Sequence, residues 1–413
     1  MVALSILSAG VKHEQQRMDR ISEPQNKAFM PRRIAVSINA SWNILNFRAG
    51  LMKALRAQGF DVAAAAPDDG YAGRLAELGC RHVPLIMDNK GTNPLRDAAL
   101  FLRYLGFMRR ERPDVYLGWT IKPNVYGSLA AHMLGIPVVN NVSGLGTAFI
   151  RDTWITRIVK QLYRTALRRS ACVFFQNGED RDLFVTLGLV RAEQTRLLPG
   201  SGIDLDRFVP AACTTRATGD GPVFLLIARL LWDKGVGEYV EAARQVRAKW
   251  PTAQFRLLGF LDVENRTAVP RETVEGWRRE GLIDYLGAAD DVRPHIAAAD
   301  CVVLPSYREG APRSLLEASA MARPVITTDV PGCRDVVTDG ITGLMCRPRD
   351  AEDLAVKMLT LAAMTPEARA TMGAAGRARM EREFDERIVI ECYLNVIQTI
   401  LTPTPAEVSK APP

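Results

Sequence analysis

Two carboxylates, Glu309 and Glu317, stand eight residues apart in the segment Ser306-Tyr307-Arg308-Glu309-Gly310-Ala311-Pro312-Arg313-Ser314-Leu315-Leu316-Glu317. The apolar run Cys301 to Leu304 predicts a buried strand, Pro305 ends it, and Ser314 to Met321 predicts a helix opening behind a loop of small residues. Backbone N–H groups at a helix N-terminus favour anions. Two acids beside such a terminus therefore suit the hydroxyls on either side of a bound diphosphate better than the diphosphate itself. The tight Glu309-Gly310-Ala311 leaves room for a ligand to approach the backbone. A surface loop followed by an ordinary helix is the plain alternative.

A second segment carries the opposite charge. Val223 to Ala228 is a continuous apolar run, as a parallel strand covered on both faces requires. It delivers Arg229, and five residues on come Lys234 and Gly235, just before the helical pattern Val236 to Val246. Two cations at the carboxyl end of a strand, in front of a helix, are placed to neutralise a diphosphate. Alone they read as solvated charges; with Glu309 and Glu317 in the same half of the chain they read as a site.

The elements around these residues alternate short apolar runs with amphipathic stretches, the pattern of βα units in parallel sheets. Strands are expected at Ile34 to Ile38, Asp61 to Ala66, Val83 to Leu85, Val115 to Gly118, Val138 to Val142 and Val173 to Gln176. A new series runs from Val223 through Gln254 to Leu258, Tyr285 to Leu286, Cys301 to Leu304, Val325 to Thr327 and Gly343 to Cys346. Ala40 to Asn46 reads as a loop and Phe47 to Gln58 as a helix. At 413 residues the chain exceeds what one core usually supports. The expected fold is α/β with two doubly wound Rossmann-like domains: 31–205, a Pro/Gly-rich linker at 206–222, and 223–385. A closing helix, 386–401, and a Pro-rich tail, 402–413, follow. Residues 1–30 read as a disordered extension without function. Two such sheets face a cleft with their carboxyl ends, where ligands bind.

Composition narrows the chemistry. With 47% hydrophobic and 24% charged residues the chain is globular, and its net charge of +7 is modest. Seven cysteines without CxxC spacing predict free thiols of a reducing compartment, hence a cytoplasmic protein. Four histidines, none at metal-ligand spacing, give a zinc site or a histidine-based triad little to draw on. No GxGxxG follows the first strand and no Gx4GK[ST] loop is present, which argues against a nicotinamide dehydrogenase and an ATPase. Pro123 to Ile150 lacks charge, but its asparagines, glycines and Pro137 do not suit a membrane span. Leu95 to Arg112 and Trp154 to Arg169 mix apolar residues with arginines in a manner suited to an anionic membrane surface. The cations are not interleaved with a stacking platform, so no nucleic-acid partner is expected.

Arg229-Leu230-Leu231-Trp232-Asp233-Lys234-Gly235, followed about eighty residues later by Glu309-x7-Glu317, resembles the donor site of the family-four retaining glycosyltransferases with the GT-B fold. The similarity runs from about Arg33 to about Leu401. The resemblance implies that Arg229 and Lys234 bind the donor diphosphate, that Glu309 faces the sugar and that Glu317 holds the ribose. Gly259, Gly310, Ala311, Arg313, Ser314 and Leu315 complete the implied donor-binding set. It implies no protein nucleophile and no metal cofactor, the leaving diphosphate taking the acceptor proton. Within the family, Ser41 to Arg48, Gly118 to Gly127 and Asn140 to Gly146 resemble bacterial N-acetylgalactosaminyltransferases that extend undecaprenyl-diphosphate-linked sugars. This narrower resemblance implies a UDP-sugar donor, a polyprenyl-diphosphate-linked saccharide as acceptor, and attachment to the inner face of the cytoplasmic membrane. Ser41, Trp42, Asn43, Arg48, Lys122 and Asn141 are the implied acceptor-binding residues, with Trp42 and Asn43 standing where the family often has a glycine-rich turn. The rival readings are a soluble transferase acting on a small acceptor, a nucleotide-sugar 2-epimerase, and a binding module that lost turnover.

Overall fold

The computed structural model describes residues 31–88, 93–144, 154–210, 221–263 and 265–402. Seven parallel strands form the first sheet: β1 (Arg33–Ser37), β2 (Asp61–Ala66), β3 (Arg81–Pro84), β4 (Val115–Trp119), β5 (Val138–Val142), β6 (Cys172–Phe175) and β7 (Thr195–Leu197), in the order β3-β2-β1-β4-β5-β6-β7. Six form the second: β8 (Val223–Ile227), β9 (Gln254–Leu258), β10 (Asp284–Tyr285), β11 (Cys301–Leu304), β12 (Val325–Thr328) and β13 (Gly343–Cys346), in the order β10-β9-β8-β11-β12-β13. Helices cover both faces, so successive residues of one strand enter opposite cores. In β8, Phe224 and Leu226 pack with Tyr239 and Val240, while Val223 and Leu225 pack with Leu304 and Leu315. In β1, Ile34 and Val36 meet Val389 and Tyr393, while Ala35 meets Tyr104 and Met108.

Both sheets reverse their winding beside their first strand, between β1 and β4 and between β8 and β11. Loops leaving the carboxyl ends of neighbouring strands diverge at such a point and open a crevice. The register Cys301↔Phe224 and Val302↔Leu225 sets the loop after β11 beside the loop after β8.

Three boundaries differ from the sequence expectation. Ala40 to Asn46 is not a loop: Ser41–Phe47 is a helix, parted from the helix Ala49–Ala57 by Arg48 at φ −136°, ψ 6°. Its interior contains no Gly or Pro to stop it, and Asn46 Nδ2 donates to Trp42 O at 2.9 Å along the turn. The crossover expected at 206–222 is packed as part of the second half from Ile203 onward, because Ile203, Leu205 and Phe208 lie in one core with Val223, Leu225 and Phe384; of that linker, 211–220 lie outside the described residues. β7 has no sequence signal, being three residues long with two of them exposed. Residues 1–30 and 403–413 also lie outside the described residues.

The helix Glu386–Leu401, capped by Asp385 accepting from Arg387 N at 2.9 Å, sets Val389, Tyr393 and Ile397 into the core of the first sheet. The preceding turn, Met380–Phe384, packs in the second half, so the chain passes between the halves here as well as near Ile203, and a bridge joins Ile203 to Asp385.

Candidate active site

β8 ends in front of Arg229, and a tight turn, Trp232–Lys234, leads through Gly235 into the helix Val236–Lys249. Gly235 adopts φ 72°, and a Cβ there would stand 2.0 Å from Pro305 O, so the turn after β8 lies directly against the end of β11. Tyr307 N and Ser306 Oγ both donate to Asp233 O, at 3.0 and 3.2 Å, and bind the two loops together. The outcome is an ion pair across the switch point: Lys234 Nζ lies 2.5 Å from Glu309 Oε1, with the side chains 19% and 13% exposed. Arg229 is exposed at the rim of the same strand end and makes no ion pair with any described residue.

Glu317 lies on the helix Arg313–Ala320 behind the loop, and its Oε1 accepts from Arg313 Nε at 2.9 Å. Burial pushes its carboxyl above the ordinary range, and the Arg313 guanidinium opposes that shift. Arg313 itself donates to Ser201 Oγ at 3.2 Å and to Gly202 O at 2.7 Å, and sits over the rings of Phe47 and Phe208 at 5.6 and 5.8 Å. These contacts orient Glu317 and join the halves; they occupy a residue expected to bind donor. Leu315 differs from expectation too, its side chain lying in the core and its N–H bonded to Pro312 O at 3.1 Å. Ser314 is buried in the first turn of that helix, and Ala311 follows Gly310 in the loop before it. Gly259 donates its N–H to Gly287 O at 2.7 Å and its carbonyl accepts from Tyr285 OH at 3.0 Å. Its backbone polar groups are thus satisfied within the protein.

On the first half, Ser41 is buried with Oγ donating to Pro67 O at 3.0 Å, and Asn43 Nδ2 donates to Asn39 Oδ1 at 2.9 Å. Trp42 makes edge contacts with Phe47 at 5.2 Å and with Phe260 of the second half at 6.0 Å. Lys122 does not face the cleft as a free cation: its Nζ is paired with Asp97 Oδ1 at 2.7 Å, and the side chains are 13% and 16% exposed. Arg48 is 5% exposed, stacked on Trp119 at 5.5 Å, with no ion pair to any described residue and no partner for Nε. Burial lowers its pKa. Asn141 has both ends of its amide engaged, Nδ2 donating to Tyr393 OH at 3.0 Å and Oδ1 accepting from Ser143 Oγ at 2.9 Å. Tyr393, whose hydroxyl burial pushes up to about 12, reaches this cluster from the closing helix, and no local sequence pattern points to it.

Chemically, the second half presents an ammonium and a guanidinium at one strand end, an acid bonded to that ammonium, and a further buried acid held by an arginine. Cations so placed stabilise charge growing on a departing phosphoryl group. Among the described residues, no group of three or more His, Cys, Asp or Glu side chains is arranged to hold a metal ion.

Residues 46–200 match the family described as glycosyl transferase 4-like domain, and residues 221–364 match the glycosyl transferases group 1. The N,N'-diacetylbacillosaminyl-diphospho-undecaprenol alpha-1,3-N-acetylgalactosaminyltransferase of Campylobacter jejuni is 27% identical over 383 residues, covering 89% of this chain and 99% of that protein. The UDP-Gal:alpha-D-GlcNAc-diphosphoundecaprenol alpha-1,3-galactosyltransferase of Escherichia coli is 23% identical over 295 residues, 69% of this chain and 73% of its own. Among solved structures, sucrose-phosphate synthase of Thermosynechococcus elongatus superposes with TM-score 0.73 at 20% identity, covering 89% of this chain and 99% of that one. HepE of Anabaena, in complex with UDP and glucose, gives TM-score 0.73 at 18% identity, covering 89% and 100%. Two domain families in this order, each on its own doubly wound sheet, place the chain among the family-four glycosyltransferases of GT-B fold.

Proposed function

We propose that this glycosyltransferase moves a hexose or N-acetylhexosamine, N-acetylgalactosamine first among them, from a UDP-sugar to a polyprenyl-diphosphate-linked saccharide with retention at the anomeric carbon. The observation that carries the proposal is the Lys234–Glu309 pair at the switch point of the second sheet, 2.5 Å apart. In this reading Lys234 and Arg229 neutralise the leaving diphosphate, Glu309 fixes the sugar hydroxyls and Glu317 the ribose. The departing diphosphate takes the acceptor proton, so neither a protein nucleophile nor a resident metal is assigned. The Campylobacter and Escherichia relatives, named for transfer to diphospho-undecaprenol-linked sugars, support a lipid-diphosphate acceptor.

The test is transfer by purified protein from a panel of UDP-sugars to detergent-solubilised undecaprenyl-diphosphate saccharide and, separately, to free sugars. Turnover with the lipid-linked acceptor and none with free sugar is expected. Equal turnover with free sugar would establish the soluble transferase instead, and conversion of donor without acceptor the 2-epimerase.

Glu317→Gln keeps the shape of the buried side chain but weakens a charge-assisted hydrogen bond to a neutral one. That difference is about 1 kcal/mol, so the donor KM rises about five- to tenfold with kcat within about threefold. Steady-state kinetics checks it; an unchanged KM would remove Glu317 from the ribose.

An anionic membrane surface fits the helix Pro94–Glu111. Leu95 and Leu102, seven residues apart on one face, are 80% and 63% exposed, and Ile86 is 72% exposed beside Arg103, whose Nη1 donates to Ile86 O at 3.1 Å. No helix among the described residues is long and apolar enough to cross a membrane. Peripheral attachment to the inner face of the cytoplasmic membrane then predicts flotation with anionic liposomes at low salt and loss of flotation at high salt. Recovery at the bottom of the gradient under both conditions would count against it.

A further inference from the structure

The loop that carries Glu309 is held from the opposite half of the molecule. Asn177 caps the helix Gly178–Thr186 with its Oδ1, which accepts from Asp180 N at 2.8 Å. A cap needs only that oxygen. The amide nitrogen points across the cleft, where Nδ2 donates to Gly310 O at 3.2 Å and to Glu309 O at 3.4 Å. The neighbouring Asp180, 1% exposed, accepts from Arg308, so the residue before Glu309 is ion-paired to the same turn. Asn177 Nδ2 also lies 3.2 Å from Asp180 Oδ2. Glu309 is thereby fixed on three sides: its N–H donates to Pro331 O at 3.2 Å, its carbonyl accepts from Asn177, and its carboxylate meets Lys234. The first two of these fix the backbone and the third the side chain, and Asn177 supplies the one that depends on the first half.

We propose that Asn177 is a positioning residue for Glu309, and that the Asp180–Arg308 pair locks the same loop, so that the acid reaches its working place only when the two halves are closed on each other. The inference rests on the reading of Glu309 as the group that contacts the donor sugar. Asn177 and Asp180 are 4% and 1% exposed, so the pairing is desolvated and its geometry is specified. Opening the cleft removes the donor to both carbonyls and the partner of Arg308 together.

Substitution at Asn177 separates this role from capping. Serine caps a helix about as well as asparagine but has no amide nitrogen to reach the loop, while Asn177→Asp keeps the cap and sets an anion against two carbonyl oxygens. Asn177→Ser should lower kcat about tenfold and Asn177→Asp about 100-fold, as misplacement of a contacting group does, with the UDP Kd within twofold of wild type. Thermal melting checks that both variants remain folded. In a second arm, Asp180→Asn combined with Arg308→Met removes both charges of the pair, the buried carboxylate and its half-buried partner; stability should return toward wild type relative to either single variant while kcat stays low. Recovery of kcat along with stability, or wild-type kcat in both Asn177 variants while Glu309→Gln is impaired, would overturn the inference. Wild-type turnover in Glu309→Gln would instead overturn the reading of Glu309, and the inference with it.

Discussion

Lys234→Ala should lower kcat by about 10²–10³-fold, the usual cost of removing one preorganised group that stabilises charge in the transition state. The ammonium stands at the carboxyl end of the central strand of the second sheet, held there by the turn Trp232–Lys234 and by Gly235 against Pro305. Alanine leaves that backbone intact and removes the ammonium together with its aliphatic stem. It also leaves the Glu309 carboxylate, 13% exposed, without its cation, at a stability cost on the order of 1–3 kcal/mol. Circular dichroism and melting should therefore show a folded protein with a lowered Tm, and single-turnover kinetics should show the loss in the chemical step. Arg229→Ala should act in the same direction without the stability cost, because Arg229 pairs with no described residue. Wild-type rates in either variant would sink the assignment of the two cations.

The second large effect comes from one methyl group. A Cβ at Gly310 would stand 2.3 Å from Ser143 O and 2.8 Å from Gln176 Oε1. The glutamine can turn away, but the Ser143 carbonyl is main chain and must be displaced with its segment. Gly310 does not lie in the left-handed region, so alanine strains no dihedral and the clash acts alone. Relief requires a shift approaching 1 Å between the Glu309 loop and the first half, and a displacement of that size costs about 10² in rate. Gly310→Ala should therefore lose about 100-fold in kcat with the UDP Kd within twofold. Gly276 is the control: a Cβ there meets nothing within 4 Å, and Gly276→Ala in the helix Arg271–Arg279 should raise stability by about 0.5–1 kcal/mol with activity unchanged. Equal activity of Gly310→Ala and Gly276→Ala would show that the close approach has no bearing on turnover.

The two sheets were legible because both are parallel and covered on both faces, which forces unbroken apolar runs such as Val223–Ile227 and Cys301–Leu304 between turn residues. The meeting of Lys234 with Glu309 was legible for a related reason: each follows a strand at the same switch point, so their separation of 75 in sequence closes through strand pairing alone. Ser41–Phe47 was harder, because a seven-residue helix with two buried residues carries little periodic signal. The pairing of Lys122 with Asp97, on a helix 25 residues earlier, leaves no local signal, because nothing nearby in sequence distinguishes a paired lysine from a free one. Asn177-Gly178-Glu179-Asp180 does carry the signature of a helix start, with an Asx cap and acids in the first turn. Its second task, across 133 residues to Gly310, depends on how the halves close and leaves no trace in local sequence.

The most direct measurement is calorimetric titration of UDP into wild-type protein and Lys234→Ala, in buffer containing EDTA. A charge-assisted contact of about 1.5–3 kcal/mol predicts clear binding by wild type and a Kd at least tenfold weaker in the variant. Matching Kd values within twofold, or no binding of UDP by the wild-type protein, would contradict the placement of the donor diphosphate at Lys234.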